Sequence, residues 1–295
     1  MGIRLTIIGM LVGVAAMQAF VKPSPGLRLP LRLSEYHIFE GRPSDLKPAA
    51  DFSIYDLATT LFTDYAEKQR LIRLPRGGRL QQAGDGLPVF PEGTMLVKTF
   101  YYYNDKQNVT GGRRLIETRV MVLSDGKWVW GTYLWNADGT EAMLVNTSAK
   151  IKIGWRDERG VARTIQYVVP SHADCAKCHG GSAEKFTPLG PTIRNLRLGS
   201  AFVPSLPAWQ DSSYALQQRV GAYLEVNCAH CHNPDGFCAR SGLDLRWGVA
   251  LTDQRALRRM VRFMQKGRMP LIGTTIVHRE GVELLEEYLK NISNK

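Results

Sequence analysis

Between Met95 and Pro170, short apolar runs rich in Val, Ile, Thr, Tyr and Trp are separated by turn residues. This pattern predicts strands at Met95–Tyr103, Leu115–Leu123, Trp128–Trp135, Ala142–Asn146, Lys150–Trp155 and Thr164–Val169. Asn104-Asp105, Gly111-Gly112, Asp125-Gly126, Asp138-Gly139 and the run from Arg156 to Gly160 supply residues that tolerate turn geometry. Such short connections imply an antiparallel meander.

From Asp211 onward the apolar spacing becomes helical. Ser212 or Ser213 is expected to cap a helix carrying Leu216, Val220, Tyr223 and Leu224. Thr252 is placed to cap a second, with Leu257, Met260, Val261 and Met264 on one face, and a closing helix carries Leu285, Tyr288, Leu289 and Ile292. Gly221 is either a small residue where the first and last helices cross, facing Tyr288, or a tolerated helix glycine. Upstream, Val21 to Pro48 is Pro-rich and reads as extended, and a short amphipathic helix is expected from about Ile54 to Arg70. The fold class is α+β: an N-terminal antiparallel β-sheet domain followed by a C-terminal all-α domain. The expected divisions are 1–20, 21–88, 89–206 and 207–295.

Two short runs bring chemistry to this frame: Cys175-Ala-Lys-Cys178-His179, directly after the last expected strand, and Cys228-Ala-His-Cys231-His232, at the end of the first helix. Each is a C-x-x-C-H, the spacing that attaches a c-type haem through two thioethers and brings the adjacent His to the iron. Two alternatives use the thiols alone. A four-Cys zinc site would normally separate its paired cysteines by about 15–20 residues, far fewer than lie between Cys178 and Cys228, and would leave both His unexplained. A redox dithiol would need one such pair in a βαβ setting. The expected cofactors are therefore two c-type haems, one on the sheet and one in the helical domain.

His179 and His232 are the expected proximal iron ligands. On the far side of haem two the expected ligand is Met269, in Gly267-Arg268-Met269-Pro270, since a thioether raises the potential and suits an electron carrier. Met260 and Met264 read as core. The sixth position of haem one is open among Met121, which comes first, Met95, Met143, His172, and a water or empty site. The fifth cysteine, Cys238, reads as an idle thiol.

Met1-Gly-Ile-Arg4 followed by an apolar run from Leu5 to Phe20 reads as an export signal or a short anchor, and points to a periplasmic location. The formal net charge of +11 favours an acidic redox partner protein or an anionic membrane surface, and export makes nucleic acid an improbable partner. Arg255, Arg258, Arg259, Arg262 and Lys266 form a basic stripe, either a docking surface or a solvated helix face.

From about Leu33 to the C-terminus the chain resembles a family of exported bacterial dihaem c-type cytochromes. The runs that carry the resemblance are Tyr55-Asp-Leu57, Leu61-Phe-Thr-Asp-Tyr-Ala66, Phe90-Pro-Glu-Gly-Thr94 with Lys98-Thr-Phe100, Leu115-Ile-Glu-Thr-Arg119, Tyr133-Leu-Trp-Asn136, Val169-Pro-Ser171, Leu189-Gly-Pro191 and Tyr223 to His232. The resemblance implies electron transfer. The β region is also similar in order to the β-sheet cytochromes c′ and their hydroxylamine-oxidising relatives. In the latter a Lys is cross-linked to the haem, and Lys98 stands where that Lys would be expected. An ordinary strand Lys is the simpler reading.

Overall fold

The computed structural model describes residues 28–180, 185–196, 204–249 and 253–293. The expected signal at 1–20 and the expected cap Thr252 lie outside them. Among the described residues no helix is long and apolar enough to cross a membrane.

The fold is α+β. Strands β1 (Ser53–Ile54), β2 (Glu67–Arg73), β3 (Met95–Tyr103), β4 (Arg113–Ser124), β5 (Lys127–Trp135) and β6 (Ala142–Val145) form one antiparallel sheet in chain order. Strands β7 (Ala149–Arg156) and β8 (Ala162–Val169) form a separate two-stranded ribbon rather than continuing the meander.

Strand β3 is buried along nearly its whole length because both faces of the sheet are covered. On one face Met95, Val97, Tyr101, Leu115, Val120, Tyr133 and Trp135 pack with Leu33, Ile38, Leu46 and Phe52. The Pro-rich N-terminal segment is thus a cover for the sheet. On the other face Phe100, Tyr102 and Ile116 pack with Ile153, Trp155, Ile165, Tyr167 and Val169 of the ribbon. Burying such side chains contributes about 1.5–3 kcal/mol each.

The helix expected from Ile54 to Arg70 does not form. Its ends belong to β1 and β2, so the sheet begins well before residue 89, and its middle is an irregular loop. Side chains distant in sequence satisfy that loop's backbone in place of helical hydrogen bonds. Asn195 Oδ1 accepts from the Thr59 N–H at 2.9 Å, and Asn227 Oδ1 accepts from the Phe62 N–H at 2.7 Å. Asp64 and Tyr65 hold φ of 53° and 62°, which no helix allows.

Four helices follow: α1 (His172–Cys178), α2 (Leu216–Asn227), α3 (Gln254–Gln265) and α4 (Arg279–Ser293). Helix α2 starts after Ala215 without a side-chain cap, so neither Ser212 nor Ser213 caps it. Asp253 caps α3, accepting from the N–H groups of Arg255 and Ala256 at 2.8 and 3.0 Å. Val220, Tyr223, Leu224, Leu257, Val261, Met264, Leu285 and Tyr288 make one core. Gly221 packs on Trp247 rather than on Tyr288. The glycine that lets α2 and α4 meet is Gly281, where a Cβ would run into the Tyr223 hydroxyl.

Candidate functional site

Ser171 starts the first motif. Its hydroxyl accepts from the Asp174 N–H while the Asp174 carboxylate accepts from the Ser171 N–H, a reciprocal cap on α1. The helix turns Cys175 into the protein and ends with Cys178 and His179. Gly180 follows at φ 118°, where a Cβ would collide with the Lys185 carbonyl, so a larger residue would block the reversal. The returning chain places Thr187 against His179: the Thr187 carbonyl lies 2.7 Å from His179 Nδ1, and its N–H donates to the His179 carbonyl at 2.9 Å. Nδ1 is therefore the protonated nitrogen and Nε2 is left with a free lone pair. Burial first, then the charge on Lys98, pushes the imidazole pKa down to about 3.

The second motif continues from α2. Asn227 ends the helix, and Cys231 and His232 donate their N–H groups to the Cys228 carbonyl at 3.1 and 2.9 Å. His232 Nδ1 lies 3.0 Å from Ser241 Oγ, again leaving Nε2 free. Burial, then His230, lowers its pKa. Both imidazoles are neutral near pH 7, the state in which imidazole binds a metal.

A cavity of about 230 Å³ lies between the second motif, α3 and the segment after it that carries Met269. His232, Cys228, Cys231, Met260, Met264 and Met269 all line it. The cavity therefore holds both the expected iron ligands, His232 and Met269. Met264 is buried in the helical core, as expected, while Met260 packs against that core with part of its side chain still exposed. Cys238 lines the same cavity and its N–H donates to the Cys231 carbonyl at 2.9 Å. At the rim stand Arg259, Phe263 and Leu271, the last two 38% and 62% exposed. Arg255, Arg258, Arg262 and Lys266 are also exposed, so the basic stripe adjoins the cavity mouth.

The volume beside His179 is smaller, about 40 Å³. It is walled by Cys175, Lys98, Arg119, Met121 and Trp130. Of the candidates for the sixth position, Met121 alone lines this cavity. Met95 is buried in the core on the opposite face, Met143 is exposed, and the His172 ring lies flat on Trp130 with centroids 4.4 Å apart. Trp130 also stacks on Phe186 at 3.6 Å, and Phe186 on His179 at 4.5 Å, which fixes the ring of His179. The Trp130 Nε1 is buried with no hydrogen-bond partner.

Arg119 makes a bidentate pair with buried Glu117 at 2.7 and 3.0 Å, and the Tyr167 hydroxyl donates to the same carboxylate at 2.7 Å. Lys98 is a half-buried amine in this wall, and burial, then the charges on Arg70 and Arg119, holds its pKa well below the ordinary lysine range.

The two motifs meet. One ligand atom each of Cys178, His230 and Cys231 lies within 4.8 Å of the others. The neighbouring Cys231 thiol, then His230, pulls the Cys178 thiol down in pKa. Among the described residues Cys175 and Cys228 do not join this cluster, so the four thiols of a four-Cys zinc site are not gathered around one point. His230, Thr187, Ser241 and Arg119 were not anticipated from the sequence. Only His230 carried a signal there, as a third imidazole inside the second motif.

The donor set fits a c-type haem at each motif: paired thiols for the vinyl groups and a neutral, oriented imidazole for the iron. At His232 the shared lining of the cavity by Cys228, Cys231 and Met269 adds to that fit, whereas at His179 the fit rests on the donors. No protein family, curated protein or solved structure matches this chain.

Proposed function

We propose that this chain is an exported, periplasmic dihaem c-type cytochrome that passes electrons between redox partners. Cys175 and Cys178 would tether haem one, with His179 on its iron. Cys228 and Cys231 would tether haem two, with His232 and Met269 on its iron. When bound, each haem supplies a one-electron ferric/ferrous couple. The protein's residues do the rest. Thr187 fixes the tautomer of His179, Ser241 orients the ring of His232, the apolar walls limit water, and the basic stripe beside Phe263 and Leu271 offers an acidic partner a docking face.

The observation that carries this reading is the contact of Cys178 with Cys231. The thiols that would tether the two haems stand together, as a relay between two redox centres requires. A zinc ion held by Cys178, His230 and Cys231 would instead leave the free Nε2 atoms of His179 and His232 without a role.

A second reading gives haem one an open sixth position that reacts with a small nitrogen or oxygen species, with haem two relaying electrons. Lys98 in the wall beside His179 favours it, since an amine there offers a hydrogen bond to a small reactant. Adding carbon monoxide to the reduced protein tests the pair. An unchanged spectrum in a protein that titrates as two one-electron centres supports the carrier. A shifted haem spectrum supports the reactive site.

A further inference from the structure

Arg70 on β2, Lys98 on β3 and Arg119 on β4 stand directly opposite one another across three neighbouring strands. Like charges in facing positions destabilise a sheet. Arg119 is paired with Glu117; the other two form no ion pair, although the Asp56 carboxylate bears on Arg70 and Glu117 on Lys98. Arg70 is 6% exposed, and among the described residues neither its guanidinium nor the Lys98 ammonium has a hydrogen-bond or ion-pair partner. The aromatic contact of Lys98 is with the Phe100 face, 5.7 Å away. Both side chains line one cavity of about 230 Å³. Lys98, Pro188 and Leu189 are also the wall between that cavity and the one beside His179.

The other charged groups in the cavity do not neutralise these two. Arg246 is paired with Asp244. Glu225 accepts from the Trp247 N–H at 2.7 Å, and burial raises its pKa. The nearby Lys68 donates to the Ala66 carbonyl at 2.9 Å. Buried cations are normally paired, because an unpaired one costs several kcal/mol of lost hydration. Buried Arg70 and half-buried Lys98, side by side and facing one cavity, give an anion two basic donors.

We infer that the cavity under Arg70 and Lys98 binds a carboxylate or small oxyanion beside the His179 centre. Two sources carry that chemistry: a free oxyanion such as nitrite, and the propionate carboxylates of a porphyrin held at His179. The second source rests on the haem reading, and the first does not.

The test uses the full-length protein matured in a periplasmic host, with Arg70→Gln and Lys98→Gln variants, titrated calorimetrically with sodium nitrite and sodium sulfite. Saturable binding that each variant weakens roughly ten- to a hundredfold, the worth of one charged hydrogen bond, assigns the site to a free oxyanion. Absence of binding, with a shift of the porphyrin propionate bending band in the resonance Raman spectrum of the variants, assigns it to the haem carboxylates. Absence of both overturns the inference. A colourless protein would remove the haem reading, and the titration alone would then decide the site. Far-UV circular dichroism controls for folding: the Arg70→Gln and Lys98→Gln variants should keep the parent's spectrum, and a variant that loses it is replaced by Arg70→Lys or Lys98→Arg, which should restore binding.

Discussion

The sulfur atoms of Cys178, at the end of α1, and Cys231, just past α2, lie within 4.8 Å of each other. Two motifs far apart in sequence are thereby joined at one point, with His230 beside them. If each thiol carries a haem, the two chromophores are held in a fixed mutual orientation. The Soret circular dichroism of the holoprotein should be bisignate, and a Cys231→Ala variant should lose much of the signal. Two independent, non-interacting Soret bands in the parent would separate the motifs.

Met269 lines the cavity of His232, in the segment between α3 and α4. A thioether on the iron favours the ferrous state. Met269→Ala should therefore abolish the methionine–iron charge-transfer band and lower the potential of one centre while sparing the other. An unchanged spectrum would place the ligand elsewhere.

Ser241 is held to act through His232. Its hydroxyl lies 3.0 Å from Nδ1; with Nε2 on a metal, Nδ1 carries the proton and donates to that hydroxyl, which makes the imidazole a stronger donor to the metal. Ser241→Ala should raise the potential of the same centre that Met269→Ala lowers, with little change in melting temperature. A shift in the other centre would contradict the assignment.

His278 tests the packing between the domains. Its ring stacks on Phe62 at 4.0 Å, and its Nδ1 lies 2.9 Å from the Tyr223 hydroxyl. Burial lowers its pKa from 6.5 to about 4. The folded state thus binds the His278 proton less well than the unfolded chain. The resulting stability is complete above pH 6.5 and is lost as pH falls from there toward 4, by about 3 kcal/mol at most. Denaturant melts of the parent and of His278→Gln should diverge in slope over that window. Parallel curves would show that His278 is not buried neutral.

Gly281→Ala should destabilise the helical domain by about 1–3 kcal/mol, the usual cost of forcing extra atoms into a packed core. The new methyl meets the Tyr223 hydroxyl and lies 2.8 Å from His278 Nδ1. Gly154→Ala, whose nearest neighbour is 3.7 Å away, serves as the comparison. Equal melting temperatures for the two would refute the close crossing of α2 and α4.

The strands were legible in the sequence because β-branched and aromatic runs bounded by turn residues leave few alternatives, and β3 matches its expected limits, Met95–Tyr103. The motif spacing was local and equally legible. What remained hidden was set by partners far along the chain. The loop from Leu57 to Ala66 has apolar residues at helical spacing, yet Asn195, Asn227 and Thr275 decide its conformation by bonding to Thr59, Phe62 and Asp64. Turn residues showed that β7 and β8 pair but not that they leave the main sheet. Lys98 looked like an ordinary strand residue, and its burial beside Arg70 is a tertiary fact. The contact of Cys178 with Cys231 is another.

The most direct test is the intact mass and metal content of the protein purified from a host with cytochrome maturation machinery. The account predicts a red protein whose mass exceeds the mature polypeptide by two covalent haems, with two iron atoms per chain and no zinc. A colourless protein of bare polypeptide mass, or one carrying zinc in place of iron, would contradict it.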